Sequence, residues 1–209
     1  MSDHYRLIEQ LGRDLQPVRR TPAPGTRLLR WLAMALPCAV AASLLVQRTL
    51  TDWSQPGAAL AVLQLMLAFL LGTLAIRSAF SMSIAGRRSI SWKALLPIGL
   101  LWLGISLSSM PHGAAPTHTD DSVRCFTFLL VVSLPMMVLM IASLRQTRAL
   151  QPVRSLAMGG LGVACMAVSL LAFCHPFHLH PLDFVTHLAA IITIIALTII
   201  TGKPWVKVP

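Results

Sequence analysis

The segment "CHPFHLHP", residues 174–181, places one cysteine and three histidines within eight residues. Thiolate and imidazole both bind Zn²⁺ and copper well. His178 and His180 alternate, so on an extended loop they face the same way, whereas in a helix they would diverge by about 200°. Pro176 and Pro181 argue against a helix through the segment. The pattern predicts a metal site built from Cys174, His178 and His180, with Cys125 as a fourth ligand. His175 is a further donor in the stretch, although as the neighbour of Cys174 it does not easily share its direction. His112, His118, Asp120 and Asp121 are alternates, and the thioether of Met110 suits copper(I). The spacing matches no C-x₂-C or H-x₃-H zinc motif, and histidines at a helix end also serve as plain interfacial polar residues.

A second chemistry uses the cysteines alone. Cys125 and Cys174 sit at the near ends of two long apolar runs. If those helices are neighbours, the thiols come within disulfide reach, about 4.4–6.8 Å between Cα atoms. An oxidising outer compartment permits a reversible bond, and oxidation competes with metal for the same thiolates. Cys38 and Cys165 lie deeper in their runs and are expected to act as small packing residues.

The elements that must position these groups are apolar helices. The chain has 209 residues, 56% of them hydrophobic and only 11% charged, too few charges to cover a soluble domain of this size. Six runs approach the roughly 20 apolar residues that a spanning helix needs. They cover residues 28–46, 57–76, 93–110, 125–144, 155–173 and 182–201. Pro37 and Pro135 fall inside runs, where bilayer helices accept kinks, and Gly160 and Ala164 suit close helix packing. The expected fold is all-α: a polytopic membrane protein of six transmembrane helices, residues 28–209, preceded by a short cytoplasmic head, residues 1–27. The polar N-terminus carries no early apolar core of the signal-peptide kind.

The basic residues set the orientation. Arg6, Arg13, Arg19, Arg20, Arg27 and Arg30 precede the first run; Arg77, Arg87, Arg88 and Lys93 follow the second; Arg145, Arg148 and Arg154 follow the fourth; Lys203 and Lys207 follow the sixth. Only Arg48 and Arg124 remain for the opposite side, so the positive-inside rule places both termini in the cytoplasm. The net charge of +10 is therefore a topology signal whose first partner is the anionic inner leaflet. No aromatic-laced basic module of a nucleic-acid binder is present. The acids Asp52, Asp120, Asp121 and Asp183, and every histidine except His4, sort to the outer side, with His187 just inside the last run.

Within the head, Ile8, Leu11, Leu15 and Val18 recur at three- and four-residue steps, with Leu7 on the same side, the pattern of a short amphipathic helix. Ser2 or Asp3 suits its start and Pro17 its end. Such a helix either lies on the inner membrane surface, with Arg19 and Arg20 on lipid phosphates, or docks its apolar face in a partner's groove.

"LIEQLGRDLQPVRR", Leu7 to Arg20, resembles the opening of the NrsF-type negative regulators of extracytoplasmic-function sigma factors, which begin with Leu-Ile-x-x-Leu…Asp-Leu-x-Pro-Val. The resemblance extends to six apolar runs, a cysteine near the outer start of the fourth and another after the fifth. It implies that Leu7, Ile8, Leu11, Asp14, Leu15, Pro17 and Val18 hold a sigma factor at the bacterial inner membrane. It also implies that Cys125 and Cys174 sense a metal or an oxidant. The chain departs from the family where Thr186 and His187 replace an aromatic pair and where "GKPWVKV" replaces a basic, Trp-containing ending.

Enzymatic readings lack their residues. There is no outer C-x-x-C for a thiol oxidoreductase, no facing intramembrane histidines for haem, and "GIS" at 104–106 is too little for a serine protease. A small metal permease is the remaining alternative, although transporters commonly bury charges at mid-membrane.

Overall fold

The computed structural model describes residues 2–13, 21–46, 51–54, 57–84, 86–87, 89–109, 119–147, 149, 151–174 and 181–206. Among these residues the chain is entirely helical apart from turns and connections. The helices are α1 (Ser2–Arg13), α2 (Pro24–Ser43), α3 (Ala58–Met82), α4 (Trp92–Ser108), α5 (Thr119–Arg145), α6 (Pro152–Leu171) and α7 (Pro181–Val206). Helices α2 to α7 fall on the six apolar runs in order. Pro at the first positions of α2 and α6 suits a helix start, where its missing N–H costs nothing. Ser91 caps α4 by accepting from the Lys93 N–H at 3.3 Å.

Two differences from the sequence expectation have simple causes. Helix α3 runs on to Met82 past Arg77, and α5 starts at Thr119, before Cys125. Backbone hydrogen bonding carries a spanning helix into the headgroup zone regardless of side-chain polarity. Secondly, among the described residues four helices rather than six are long and apolar enough to cross a membrane: Ala58–Met82, Val123–Arg145, Pro152–Leu171 and Asp183–Val206. Helix α4 has 17 residues, and α2 carries Arg27 and Arg30 in its first two turns. Large exposed apolar side chains such as Leu100, Leu101, Val138, Ile192 and Ile200 fit contact with lipid rather than water.

Helix α6 is the hub. It packs against α3, α5 and α7, while α2 packs on α5 and α3, and α4 packs on α3. Three glycines of α6 make this possible, each toward a different neighbour. A methyl on Gly159 would lie 2.9 Å from Met140 of α5, and one on Gly160 would lie 3.0 Å from the Ile195 backbone of α7. One on Gly162 would run into Ile76 of α3. Small residues let backbones approach closely where no hydrophobic force separates helix from lipid. Around this hub lies a core of Trp31, Ile76, Phe80, Leu129, Met136, Met140, Leu156, Met166 and Ile194, all fully buried.

Helices α5 and α6 are consecutive and packed together across a short connection, so the start of α5 and the end of α6 share one end of the bundle. The connection between α2 and α3 closes over that end. The Thr51 N–H donates to the Phe173 carbonyl at 3.1 Å, and its hydroxyl donates to the Ala172 carbonyl at 3.0 Å. Trp53 and Phe173 stack at a tilt with ring centroids 5.8 Å apart.

Candidate functional site

The sequence directs attention to two ends of the bundle. At the end that the charge pattern marks as outer, Cys125 lies in the second turn of α5 and is buried, and Cys174 follows α6 and is half-buried. Neither is joined in a disulfide. The Cys174 N–H donates to the Leu171 carbonyl at 2.8 Å, which ends α6 in a tight turn beneath the Thr51–Trp53 strap. His175, His178, His180, His112, His118 and Met110 lie outside the described residues, as do the side chains of Asp120 and Asp121. Among the described residues, no three His, Cys, Asp or Glu side chains gather closely enough to hold a metal ion.

The same end has a feature that the sequence reading passed over. Asp183 and His187 stand one turn apart on α7, and both are buried. Residues i and i+4 share a helix face. This face packs among α5 and α6, the helices that carry the two cysteines. The charge pattern marks Asp183 only as an outer-side acid, and no periodicity signal distinguishes a buried acid from a surface one. The deep cysteines divide. Cys165 is buried between α3 and α6, as expected, its Cβ 3.1 Å from where a methyl on Gly72 would lie. Cys38 is exposed instead, because it stands about 60–100° around α2 from Ala35 and Ala39, beyond the edge of the face that packs into the core.

At the other end stands Arg27, in the first turn of α2, only 8% exposed. Its guanidinium donates to Ser83 Oγ at 3.1 Å, to the Ser143 carbonyl at 2.7 Å and to Thr147 Oγ1 at 3.3 Å. It also lies 4.5 Å over the centre of the Phe80 ring. One side chain thus ties the start of α2 to the ends of α3 and α5. The acceptors are neutral. Helix C-termini carry negative partial charge, and the cation sits where α3 and α5 both end. Nearby, Arg145 lies 5.0 Å over the ring of Trp205, joining the ends of α5 and α7. In the sequence these arginines are indistinguishable from the other charges at helix mouths.

The head begins about twenty residues before Arg27. Leu7, Ile8 and Leu11 fall within about 100° of one another around α1. All three are exposed, as is every residue from His4 to Arg13. The opposite face carries Arg6, Glu9 and Arg13, with a Glu9–Arg13 ion pair at 2.8 Å. Of the predicted stripe, Leu7, Ile8 and Leu11 share one face of α1, and that face is not packed into the bundle core. Asp14, Leu15, Pro17 and Val18 lie outside the described residues.

A family model described as NrsF, negative regulator of sigma F, matches residues 11–207. The match takes in Cys125, Cys174, Arg27 and the head from Leu11 onward, and it leaves out Leu7 and Ile8. Comparison with curated proteins and with solved structures finds no match.

Proposed function

The chain belongs to the NrsF family of negative regulators of sigma F, and on that premise we propose that it is a membrane anti-sigma factor whose head holds an extracytoplasmic-function sigma factor. In this reading the protein spans a bacterial inner membrane six times, and both termini lie in the cytoplasm. Leu7, Ile8, Leu11, Leu15 and Val18 offer an apolar stripe to a groove on the sigma factor, while Asp14 and Pro17 set the polar contact and the end of the helix. Docking an amphipathic helix in this way buries i, i+3, i+4 and i+7 anchors. The observation that carries the reading is the outward apolar face of α1, with Leu7, Ile8 and Leu11 exposed by 56–66%. A helix of about a dozen residues is marginal alone and gains its order on binding.

The signal enters at the outer end through Cys125 and Cys174. Two routes remain open for it. With His175, His178 and His180 the thiolates bind zinc or copper, each ligand losing its proton on binding. Alternatively, the two thiols give up two protons and two electrons to an external oxidant and join as a disulfide. Either event releases the sigma factor only through a difference in head affinity between two states of the bundle. Couplings of about 1–3 kcal/mol are typical, and each tenfold is ~1.4 kcal/mol. The lipid contacts of such a protein are with the anionic inner leaflet, and DNA is reached only through the sigma factor.

The deciding experiment is capture of the sigma factor by full-length protein carrying Leu15→Asp or Leu11→Asp. Capture should be lost while membrane insertion is unchanged. Co-purification of the sigma factor at the wild-type level with both variants would overturn the head's role.

A further inference from the structure

A cavity of about 480 Å³ opens at the Arg27 end between the start of α2 and the end of α3. Pro24, Gly25, Arg77, Ser81, Arg87 and Ile90 line it, together with Ser89, and among the described residues no acid does. Arg77 and Arg87 are both exposed, and neither guanidinium makes a hydrogen bond or ion pair among the described residues. Two guanidiniums facing one cavity without an acid repel each other, so the site lacks its counter-charge. Helix α2 starts at the rim with Ala23 as its N-cap. It has no side-chain cap bond and no acid in its first turn, which adds N–H donors of the same sign.

Depth and lining distinguish among anions. Arg77 lies about 28 Å along α3 from Ala58, close to the ~30 Å thickness of a hydrocarbon core. Exposed Trp92 and Trp205 stand at the same end of the bundle, where aromatic side chains mark the interface. The cavity therefore sits at headgroup level, with Pro24 and Ile90 as an apolar wall toward the acyl region. We propose that this cavity holds the phosphate of an anionic phospholipid, gripped by Arg77 and Arg87, with Ser81 and Ser89 beside them. Guanidinium and phosphate form bidentate, charge-assisted pairs, and burial of the glycerol region against Pro24 and Ile90 adds an apolar contact. The inference rests on the membrane reading above. It goes beyond that reading by making a specific lipid a bridge between the base of the head and the end of α3, beside the Arg27 contacts.

The test uses full-length protein in mixed micelles holding equal phosphatidylglycerol and phosphatidylcholine, with retained lipid read by native mass spectrometry. The wild type should retain phosphatidylglycerol over phosphatidylcholine by about tenfold, and Arg77→Gln/Arg87→Gln should bring the ratio close to one. The Arg77→Lys/Arg87→Lys protein retains the charge and should keep a clear preference, which guards against a folding defect in the Gln variant. Arg154→Gln, at the same end but outside the cavity, should behave as wild type. An unchanged ratio in the Gln variant, or an equal loss in Arg154→Gln, overturns the proposal. So does displacement of the lipid by millimolar inorganic phosphate, which would make this a site for a soluble anion. Sigma-factor capture measured on the same samples is a separate readout: lost capture with lipid preference intact counts against the head, not against the cavity.

Discussion

Replacing Arg27 with methionine tests whether one side chain fastens the base of the head to the bundle. Three hydrogen bonds from a charged donor are worth about 1.5–3 kcal/mol each, and a desolvated cation over an aromatic ring about 2 kcal/mol. Against this stands the several kcal/mol that burying a guanidinium costs. The acceptors narrow the balance. Ser83 Oγ also donates to the Phe80 carbonyl at 2.8 Å, and Thr147 Oγ1 to the Leu144 carbonyl at 3.1 Å, so both hydroxyls stay bonded in the variant. All three acceptors lose the donor that Arg27 supplied, but only the Ser143 carbonyl is left with no other bond among the described residues. Methionine fills much of the space of the arginine stem, so the net loss is about 2 kcal/mol, one orphaned helix-end acceptor plus the ring contact. That corresponds to ~30-fold in the local opening equilibrium. Hydrogen–deuterium exchange of full-length protein in detergent reads it directly: amides in the first two turns of α2 and the last turn of α3 should exchange about 30-fold faster. Amides of α6 should be unchanged. Arg27→Lys keeps a cation but not the fork, and should fall between. Exchange within about threefold of wild type in α2 and α3, or slower exchange because a buried charge has gone, would refute the assignment.

Other outcomes follow from the same geometry. Cys125→Ser and Cys174→Ser should each abolish the response to the inducing metal or oxidant at constant protein level. Metal analysis and thiol counting on the wild type then separate the two chemistries, and full signalling in both variants would remove the thiols from the mechanism. Reporter fusions after Pro209 and at His118 should report opposite compartments, and an outward C-terminus would rule out an even number of spans. Gly162→Ala puts a methyl into Ile76 and should lower stability by about 1–3 kcal/mol in a detergent melt. Gly104→Ala, where nothing lies within 4 Å, should leave stability unchanged or slightly raised.

The helices were legible in the sequence because a membrane span is a coarse signal: twenty apolar residues announce themselves without help from tertiary contacts. Their ends were not, since α3 continues past Arg77 and α5 begins before Cys125 on backbone hydrogen bonds that side-chain hydropathy does not report. The stripe of Leu7, Ile8 and Leu11 was legible for a similar reason, a period that one helix fixes by itself. Burial of single polar residues was not. Arg27 and Arg30 read alike in the sequence, one turn apart, yet Arg27 turns onto the ends of α3 and α5 while Arg30 is exposed. Asp183 and His187 are buried through the packing of α7 among α5 and α6, and Cys38 is exposed through the facing of α2. Each depends on which side of a helix meets a neighbour. That is a property of the assembled bundle, invisible when the helix is apolar all round.

The arrangement also constrains how an event at the outer thiols can reach the head. Helix α6 leads to Cys174, but its three glycines seat it so closely against α5, α7 and α3 that a single added methyl would meet a neighbour at each. Helix α5 is different. It carries Cys125 near its start, Pro135 in its middle and Ser143 near its end, with Thr147 in the turn that follows. Proline removes one intrahelical hydrogen bond and makes a natural pivot. Ser143 lies about 12 Å beyond Pro135 along the axis, so a bend of ~5° at the proline displaces its carbonyl by about 1 Å. The bond from Arg27 to that carbonyl is 2.7 Å long, and such a displacement directed away from Arg27 takes it past ~3.5 Å, where little attraction remains. No other helix among the described residues carries both one of the two proposed sensor cysteines and an acceptor of Arg27. A small change in the seating of Cys125 therefore has a direct mechanical route to the residue that anchors α2. From there, the chain runs back through residues 1–23 to the exposed stripe.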